Sequence, residues 1–438
     1  MQLKNCKGLA LAMAQASAAL VGATAPLAHA GDGAWQVDTA ALYYAEADGR
    51  VQAAEPVVNL KKDYGDERIL SFKGVVDSLT GASPNGAAPA NVQQTFTGPS
   101  GNGTYSANAG ELPLDDEFKD TRVALSGSWQ QPVGEHTRAT VGGNLSSEFD
   151  FRSIGLNGAL ARDLNDKNTT LSAGLALELD SIAPVGSAPK PLTAMDDQLK
   201  DGDETRTQVD LLLGVTQIIN RHSLFQLNYG LSASSGYHSD PYKMVTVLDA
   251  SDNLISTGVA NEYKYLFEAR PDSRMRHSLY AQYKYIFTED VLDLSYRFTT
   301  DDWGIQSNTL DFRYRWNATS SFYVEPHLRY YVQNEADFWK AYLKDGVDVS
   351  VGAGVDPVIT PLVTEASADP RLGAFTATTV GAKFGWILGR DSEFSVRVEQ
   401  YDQAADVPAA PATGSLAGQE LMPDTSALMV TLGYSFRW

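Results

Sequence analysis

The sequence predicts an all-β fold: a transmembrane antiparallel β-barrel of the outer-membrane type, preceded by a cleaved signal peptide. Three observations support this prediction: an export signal at the start, apolar and polar residues that alternate along many short segments, and a final segment that alternates in the same way. Successive side chains of a β-strand point to opposite faces, so alternation indicates one apolar and one polar face. A membrane barrel needs such strands, with an apolar exterior and a wet interior.

Residues 1–30 have the composition of a secretory signal. Two lysines precede an apolar run from Leu9 to Val21, and Ala28-His29-Ala30 has the small-residue pattern of a cleavage site. We therefore predict cleavage after Ala30, which leaves residues 31–438 as one barrel domain with long extracellular loops. The only cysteine, Cys6, lies within the signal, so the mature chain has neither a disulfide nor a reactive thiol.

Charge and composition exclude several classes of function. The formal net charge is -20, and removal of a signal that carries two lysines makes the mature chain still more acidic. Such a chain is unsuited to binding nucleic acid. No apolar run after residue 30 is long enough for a membrane-spanning helix. No loop spaces its acids like a calcium-binding hand, and no cysteine pair could bind zinc or heme, so we predict no metal and no cofactor.

Alternating segments follow one another along the mature chain. In the segment from Leu171 to Asp180, five apolar residues oppose five polar or small ones. The predicted strands are 35–46, 56–61, 69–78, 122–129, 136–149, 154–160, 171–180, 209–217, 225–231, 279–285, 292–298, 310–316, 322–330, 380–386, 394–398 and 427–438.

The connections between these strands alternate in length, which predicts the orientation of the barrel. Tight turns are predicted at 219–222, 287–290, 317–320 and 389–391, and long polar loops at 181–207, 237–273, 334–373 and 402–425. Outer-membrane barrels have short periplasmic turns and long outer loops, so the predicted C-terminus is periplasmic. We expect about sixteen strands, with fourteen as the alternative, because bacterial barrels have even numbers and the first three segments alternate least regularly.

Aromatic residues distinguish this barrel from a soluble β-sandwich, whose strands also alternate. All seven tryptophans are at or near predicted strand ends, where membrane barrels have aromatic girdles. The last segment presents Tyr434, Phe436 and Trp438 on its apolar face. We predict that it pairs with the first strand to close the barrel, and that its aromatic residues form the signal recognised by the barrel-assembly machinery.

Charged residues recur on the predicted inner face. An Arg or Lys facing lipid at mid-depth would cost about 2 to 4 kcal/mol, so these residues are expected to line a wet lumen. The candidate lumen-lining residues are Asp293, Arg297, Asp311, Arg313, Arg315, Glu325, His327, Arg329, Lys383, Arg397, Glu399 and Arg437. Either they form salt bridges that only hold the wall together, or they form a selectivity surface for polar solutes.

Short motifs are spread over most of the mature chain. They are Tyr43-Tyr44-Ala45-Glu46, Asp48-Gly49-Arg50-Val51, Glu55-Pro56, Leu79-Thr80-Gly81-Ala82-Ser83-Pro84-Asn85-Gly86-Ala87, Ser239-Asp240-Pro241-Tyr242-Lys243, Arg270-Pro271-Asp272-Ser273-Arg274, Asp301-Asp302-Trp303-Gly304-Ile305 and Arg371-Leu372-Gly373. Together they resemble a family of uncharacterised proteobacterial outer-membrane proteins, known as a domain of unknown function. The resemblance implies a barrel without an established activity. It also implies an envelope redox setting, since genes of that family lie beside genes for a flavin transferase, a thioredoxin-like protein and a small lipoprotein.

Two of these motifs, at 239–243 and 301–305, lie in predicted outer turns. We interpret their acids and Lys243 as solvated loop charge, and we interpret the lone His238 beside them in the same way. A catalytic triad cannot be assembled from the sequence, because the chain has no Gly-x-Ser-x-Gly motif and two of its histidines, His136 and His222, adjoin predicted periplasmic turns.

These observations lead to one main hypothesis and two alternatives. The main hypothesis is a channel or conduit for a polar solute, held in outer-membrane lipid and lipopolysaccharide. The first alternative is an anchor or sheath for a periplasmic redox protein with a flavin-related partner, and it rests on the resemblance alone. The second alternative, an outer-membrane enzyme, lacks a recognisable constellation of catalytic residues, so we expect no enzymatic activity.

Overall fold

The computed structural model describes residues 33–81, 84–97, 104–115, 118–389 and 391–438. The predicted signal and its cleavage site lie outside the described residues. Sixteen antiparallel strands form a closed barrel, which confirms the predicted fold class and strand number and makes the alternative of fourteen wrong. Within the described part of the chain, no helix is long and apolar enough to span a bilayer.

The barrel strands are numbered β1 to β16 in chain order. They are Trp35–Glu46, Gln52–Asp63, Ile69–Thr80, Lys119–Gly134, Thr137–Ser147, Phe151–Leu164, Thr169–Ile182, Glu204–Asn220, Ser223–Gly236, Ser273–Ile286, Val291–Asp301, Gln306–Thr319, Phe322–Gln333, Phe375–Ile387, Ser392–Ala405 and Thr425–Arg437.

Strands β1 and β16 join to close the wall. Their register places Gln36 opposite Arg437 and Glu46 opposite Ala427. At the end of this seam the N–H of Trp35 donates to the carbonyl of Trp438 at 2.7 Å, and the N–H of Trp438 donates to the carbonyl of Trp35 at 2.8 Å. Closure leaves no strand edge unpaired, as the interior of a bilayer requires.

Along each strand, exposed apolar residues alternate with shielded polar ones. On β12, Leu310 and Phe312 are exposed on one face, whereas Asp311 and Arg313 belong to the other face. Because a closed barrel has only an outer and an inner surface, the exposed apolar face is the outer one, and the polar face lines the lumen.

Five tryptophans lie near the end of the barrel that carries the short turns. They are Trp35, Trp129, Trp316, Trp386 and Trp438. The other two, Trp303 and Trp339, are buried among the long loops, where Trp303 meets Phe338 edge-on at 5.2 Å between ring centroids. The prediction that all seven belong to membrane girdles is therefore wrong for these two, because packing between loops buries them.

Five long loops fold together into one body, which we call the cap. They connect β3 to β4, β7 to β8, β9 to β10, β13 to β14 and β15 to β16. The cap contains short strands at Gln94–Thr97, Thr104–Ala107, Met244–Leu248, Tyr265–Phe267, Tyr342–Lys344, Val349–Val351 and Ile359–Pro361, and 3-10 turns at Met195–Asp197 and Pro370–Leu372. A third 3-10 turn, Ala47–Gly49, connects β1 to β2.

The cap has apolar cores of its own. One core combines Leu192, Leu266 and Leu343 from three different loops, and a neighbouring core joins Leu248 to Leu416 from a fourth loop. A further cluster packs Phe96, from the loop after β3, against Tyr265. Since these loops arise from strands all around the barrel, a body that they share spans the outer mouth.

Candidate functional site

The twelve predicted lumen residues lie on six consecutive strands, β11 to β16. Most of them occupy neighbouring positions: Asp293 is opposite Arg313, Arg313 is opposite His327, and Lys383 is opposite both Glu325 and Arg397. We call this group, together with the side chains that contact it, the charged strip. The register alone brings these charges into reach of each other across the sheet.

His327 is the centre of the charged strip. Its Nδ1 is 2.6 Å from Oε1 of Glu399, and its Nε2 is 3.0 Å from Oδ2 of Asp311. A carboxylate only accepts hydrogen bonds, so each contact requires an N–H on the ring, and the imidazolium form supplies both. His327 therefore links carboxylates that belong to strands on either side of it.

A glycine makes the contact between His327 and Glu399 possible. Gly381 lies between them in the sheet, opposite both residues. A Cβ at Gly381 would come within 2.2 Å of the carbonyl oxygen of Val398 and 2.6 Å of Cγ of Glu399. Because the space above Gly381 is free of a side chain, Glu399 can cross one strand to reach the histidine.

Arginines extend the strip on both sides of the histidine. Arg397 donates to Glu325 at 2.9 Å and to Glu399 at 3.1 Å. On the other side Arg313 is 3.3 Å from Asp311, whereas Arg329 is 3.9 Å from the same carboxylate. One aspartate is thus shared by two arginines and a histidine.

An aromatic stack ends the strip toward the short turns. Tyr323 is fully buried, and its ring lies over Gly385, where a Cβ would be 2.1 Å from the ring. The guanidinium carbon of Arg315 lies over the same ring, 3.6 Å from its centroid. The hydroxyl of Tyr323 donates to Glu393, which also binds Lys383 at 3.1 Å.

Three predicted residues lie apart from the network around His327. Asp293 binds Lys284 at 3.1 Å, and Arg297 lies over the ring of Tyr280 at 5.3 Å from its centroid. The side chain of Arg437 makes no ion pair with any residue that the structure describes. Asp293 and Arg297 lie within the strip, and Arg437 lies at its edge, on β16.

The sequence-based prediction missed several residues of the strip. Lys284 and Glu393 occupy inner-face positions, and the alternation of β10 and β15 would have identified both if every charge on that face had been included. The roles of Gly381 and Gly385 depend on which residues lie opposite them. That register is set by turns and bulges and has no local signal in the sequence.

A second group of charges lies in the cap. This cap charge cluster consists of three acids and three bases, namely Asp240, Lys243, Glu268, Arg270, Asp369 and Arg371. Arg270 binds Glu268 and Asp369, each at 2.7 Å, and Arg371 binds Asp369 and, at 3.1 Å, Asp240. Lys243 donates to the carbonyl of Pro84 at 2.5 Å. These bonds connect three of the cap loops.

Burial and neighbouring charges shift the pKa values within the cap charge cluster. Burial raises the pKa of Glu268 and lowers that of Lys243. For Asp369, burial alone would raise the pKa, but Arg371 and Arg270 hold it far below its usual range. Equal numbers of acids and bases, with Lys243 held by a carbonyl and influenced by Asp369 and Asp240, allow these charges to remain in a shielded place.

The cap charge cluster corrects our interpretation of the loop motifs as solvated charge. Lys243 is buried in it, the side chain of Asp240 is only 15% exposed, and His238 is buried beside it. His238 contacts the hydroxyl of Ser234 and the carbonyl of Gly236, each at 2.8 Å, and burial lowers its pKa to about 4. The interpretation was wrong because local sequence does not show which other loop will cover a residue.

Motifs that are far apart in the chain meet at this cluster. Pro84, Asp240, Arg270 and Arg371 come from four of the motifs that carry the family resemblance. A fifth motif contributes Trp303, whose indole N–H donates to the carbonyl of Ser273 at 2.8 Å. Packing of the cap thus accounts for the residue types at these positions.

The fold and the charged lumen define an outer-membrane β-barrel protein of porin-like architecture. Residues 10–436 match the family model described as protein of unknown function (DUF3570), and the chain belongs to that family. This confirms the resemblance noted from the motifs. No curated protein matches the sequence significantly. Among the described residues, no group of three or more His, Cys, Asp or Glu side chains is placed to hold a metal ion.

Several solved structures have a similar chain path. A bacterial polysaccharide outer membrane secretin is 7% identical, with a TM-score of 0.45 over 93% of this chain and 99% of that one. The ferric enterobactin receptor of Pseudomonas aeruginosa is 10% identical, with a TM-score of 0.41 over 93% of this chain and 60% of that one. The outer membrane protein opdK of Pseudomonas aeruginosa is 8% identical, with a TM-score of 0.38 over 94% and 100%. These similarities concern the fold at most.

Proposed function

We propose that this protein conducts small polar solutes across the outer membrane along the charged strip. The observation that carries the proposal is the solvent exposure of arginines in the middle of inner-face strands. The side chains of Arg329 and Arg313 are 50% and 40% exposed, although both belong to the inner face of the wall. Charges with that exposure inside a barrel indicate a water-filled lumen.

Conductance of the purified protein in a planar bilayer tests this proposal. Stepwise current is expected, because a water-filled lumen with charged walls lets ions through. A matched variant, Arg329→Trp, places a bulky side chain in the same lumen position and should reduce the size of each step. Absence of stepwise current in the wild-type protein would contradict the proposal.

The cap bears on how solutes enter. A body held by cores between loops covers the outer mouth, so solutes would pass through gaps at its margin. If the cap limits entry, variants that loosen it should conduct more than the wild type.

The first alternative is an anchor for a periplasmic redox protein. Its support is the envelope redox setting that the family resemblance implies. Pull-down from envelope extracts should then recover a flavin- or heme-bearing protein. Recovery of assembly factors and lipopolysaccharide alone would contradict this alternative.

The enzyme alternative gains no support from the histidines of the described chain. His327 lies between two carboxylates, and His238 contacts a serine hydroxyl and a backbone carbonyl. Neither arrangement includes an oxyanion-binding group at a substrate position. We therefore propose transport and not catalysis.

A further inference from the structure

The charged strip has an excess of positive charge in a chain that is strongly acidic. Among the twelve predicted lumen residues, seven are Arg or Lys and four are Asp or Glu, whereas the whole chain carries -20. The positive residues of this set are Arg297, Arg313, Arg315, Arg329, Lys383, Arg397 and Arg437. The strip therefore differs in sign from the protein as a whole.

Around Asp311 the acids lie beneath an arginine. The side chains of Asp311 and Glu399 are 15% and 13% exposed, whereas that of Arg329, which contacts Asp311, is 50% exposed. Elsewhere in the strip acid and base are about equally exposed, at 19% for Glu325 and 22% for Arg397. Solutes that approach Asp311 would thus meet a guanidinium group first. Ion pairing in this strip positions the arginines more than it hides them.

Two arginines of the strip lie over aromatic rings. Arg297 lies over Tyr280, and Arg315 lies over Tyr323 and donates to the side-chain oxygen of Asn317 at 3.2 Å. In the part of the chain that is described, neither forms an ion pair with a carboxylate. A ring face holds a guanidinium in place without neutralising its charge.

The opposite wall, formed by strands β4 to β9, presents less exposed charge than the strip. Small or neutral side chains line much of it, including Ser126, Asn144, Asn157, Ala176 and Asn228. Three of its acids are shielded: Asp180 pairs with Arg206 at 2.7 Å, and both Glu178 and Asp210 are buried. Between these two walls, the exposed charge is therefore mainly that of the strip.

From this arrangement we infer that the solutes are small organic anions that carry carboxylate or phosphate groups. A one-sided positive surface between low-dielectric walls concentrates anions near it. The guanidinium fork matches carboxylate and phosphate oxygens in geometry as well as in charge. The inference rests on the proposed transport function and names the solute class for the same site.

The test is ion selectivity of the full-length protein in a planar bilayer under a tenfold KCl gradient. The zero-current voltage should show chloride to be more permeant than potassium, by about tenfold. Arg329→Gln removes one exposed charge that has only a distant carboxylate neighbour, so the variant should fold, and its chloride preference should fall. Arg329→Glu should lower the preference further. Arg221→Gln removes the same charge from an exposed short turn and should leave selectivity as in the wild type.

The possible outcomes distinguish failure of the anion inference from failure of the transport proposal. Current that favours potassium, or a preference unchanged in both Arg329 variants, would overturn the anion inference and leave transport intact. Absence of any current would overturn transport and the anion inference together. When gluconate replaces chloride, current should persist at a lower level. Chloride current without gluconate current would overturn the assignment to organic anions.

Discussion

The barrel wall and the cap achieve order in different ways. In the wall, each strand bonds to its neighbours along its whole length, and the membrane-facing residues repeat with period two. In the cap, strands are only three to five residues long, and order comes from side chains such as Leu248, Leu266 and Leu343, which are fully buried between loops. Local pattern thus specifies the wall, whereas contacts between distant segments specify the cap.

Charged residues also have different roles in the wall and in the cap. Charges of the wall lie beside a lumen, and the side chains of Arg329 and Arg313 are 50% and 40% exposed. In the cap charge cluster, by contrast, three acids and three bases lie together in a shielded place between loops. We therefore expect substitutions in the strip to change transport and substitutions in the cap charge cluster to change stability.

Deletion of 434–438 should have the largest effect on the wall. It removes the aromatic residues Tyr434, Phe436 and Trp438 and one end of the seam with β1. Each unpaired backbone group in lipid costs several kcal/mol, so the barrel should not close. Heat-modifiable migration on gels should disappear, and aggregate should accumulate in the periplasm. Normal outer-membrane insertion of the truncated chain would contradict the assigned role of this segment.

Arg270→Met should break the cap and spare the wall. The substitution leaves Glu268 buried without its arginine and leaves Asp369 with Arg371 alone. Removal of one partner of a buried pair costs about 3 to 5 kcal/mol. The cap loops should become sensitive to added protease while heat-modifiable migration persists. Lys190→Met is the matched control, because Lys190 and Asp201 form an exposed pair at 3.6 Å. Equal protease resistance of both variants would show that the cluster does not hold the cap.

Phe312→Arg tests the facing of the wall. Phe312 is exposed on the outer face, so an arginine there should cost about 2 to 4 kcal/mol if the site is near the bilayer midplane. Arg313→Gln, one residue away on the inner face, should fold almost normally and at most change conductance. Urea unfolding in liposomes measures both. Tolerance of Phe312→Arg together with unfolding of Arg313→Gln would invert the facing.

Acidification should weaken the cap through His238. Its pKa is lowered to about 4 from an ordinary value of 6.5 by burial and, in part, by Arg206 and Arg274. The unfolded cap takes up this proton more readily than the folded cap, so stability is full above about pH 6.5 and falls as the pH drops toward 4. The loss should be on the order of 2 to 3 kcal/mol. Protease sensitivity of the cap at pH 7 and pH 5 measures it, and His238→Asn should show a smaller difference between the two.

The sequence was sufficient to predict the wall almost completely. The alternation of 310–316 predicts which residues share a face, and the predicted strand 35–46 matches β1 of the structure. The same alternation predicts that Asp311, Arg313 and His327 share the inner face. It does not predict that His327 contacts Glu399, because that contact depends on an intervening glycine and on strand register.

The cap was beyond sequence-based prediction for a physical reason. Lys243 and Asp240 stand in a polar, proline-containing loop, which is the usual composition of solvated segments. Asp240 is held by Arg371, more than one hundred residues later in the chain, and Lys243 by the carbonyl of Pro84, more than one hundred residues earlier. The composition of a segment indicates the local structure that it prefers, but it does not indicate which distant segment will cover it.

The seam between β1 and β16 has a consequence for the order of events during biogenesis. It pairs the first wall strand to leave the inner membrane with the last, and every other wall strand lies between them in the chain. The wall therefore cannot become a continuous cylinder until export of β16 is complete. Hairpins can form earlier, since their contacts are local, but the final step joins segments almost four hundred residues apart. Until that step, the free edges of β1 and of the most recent strand are open to pairing with other chains.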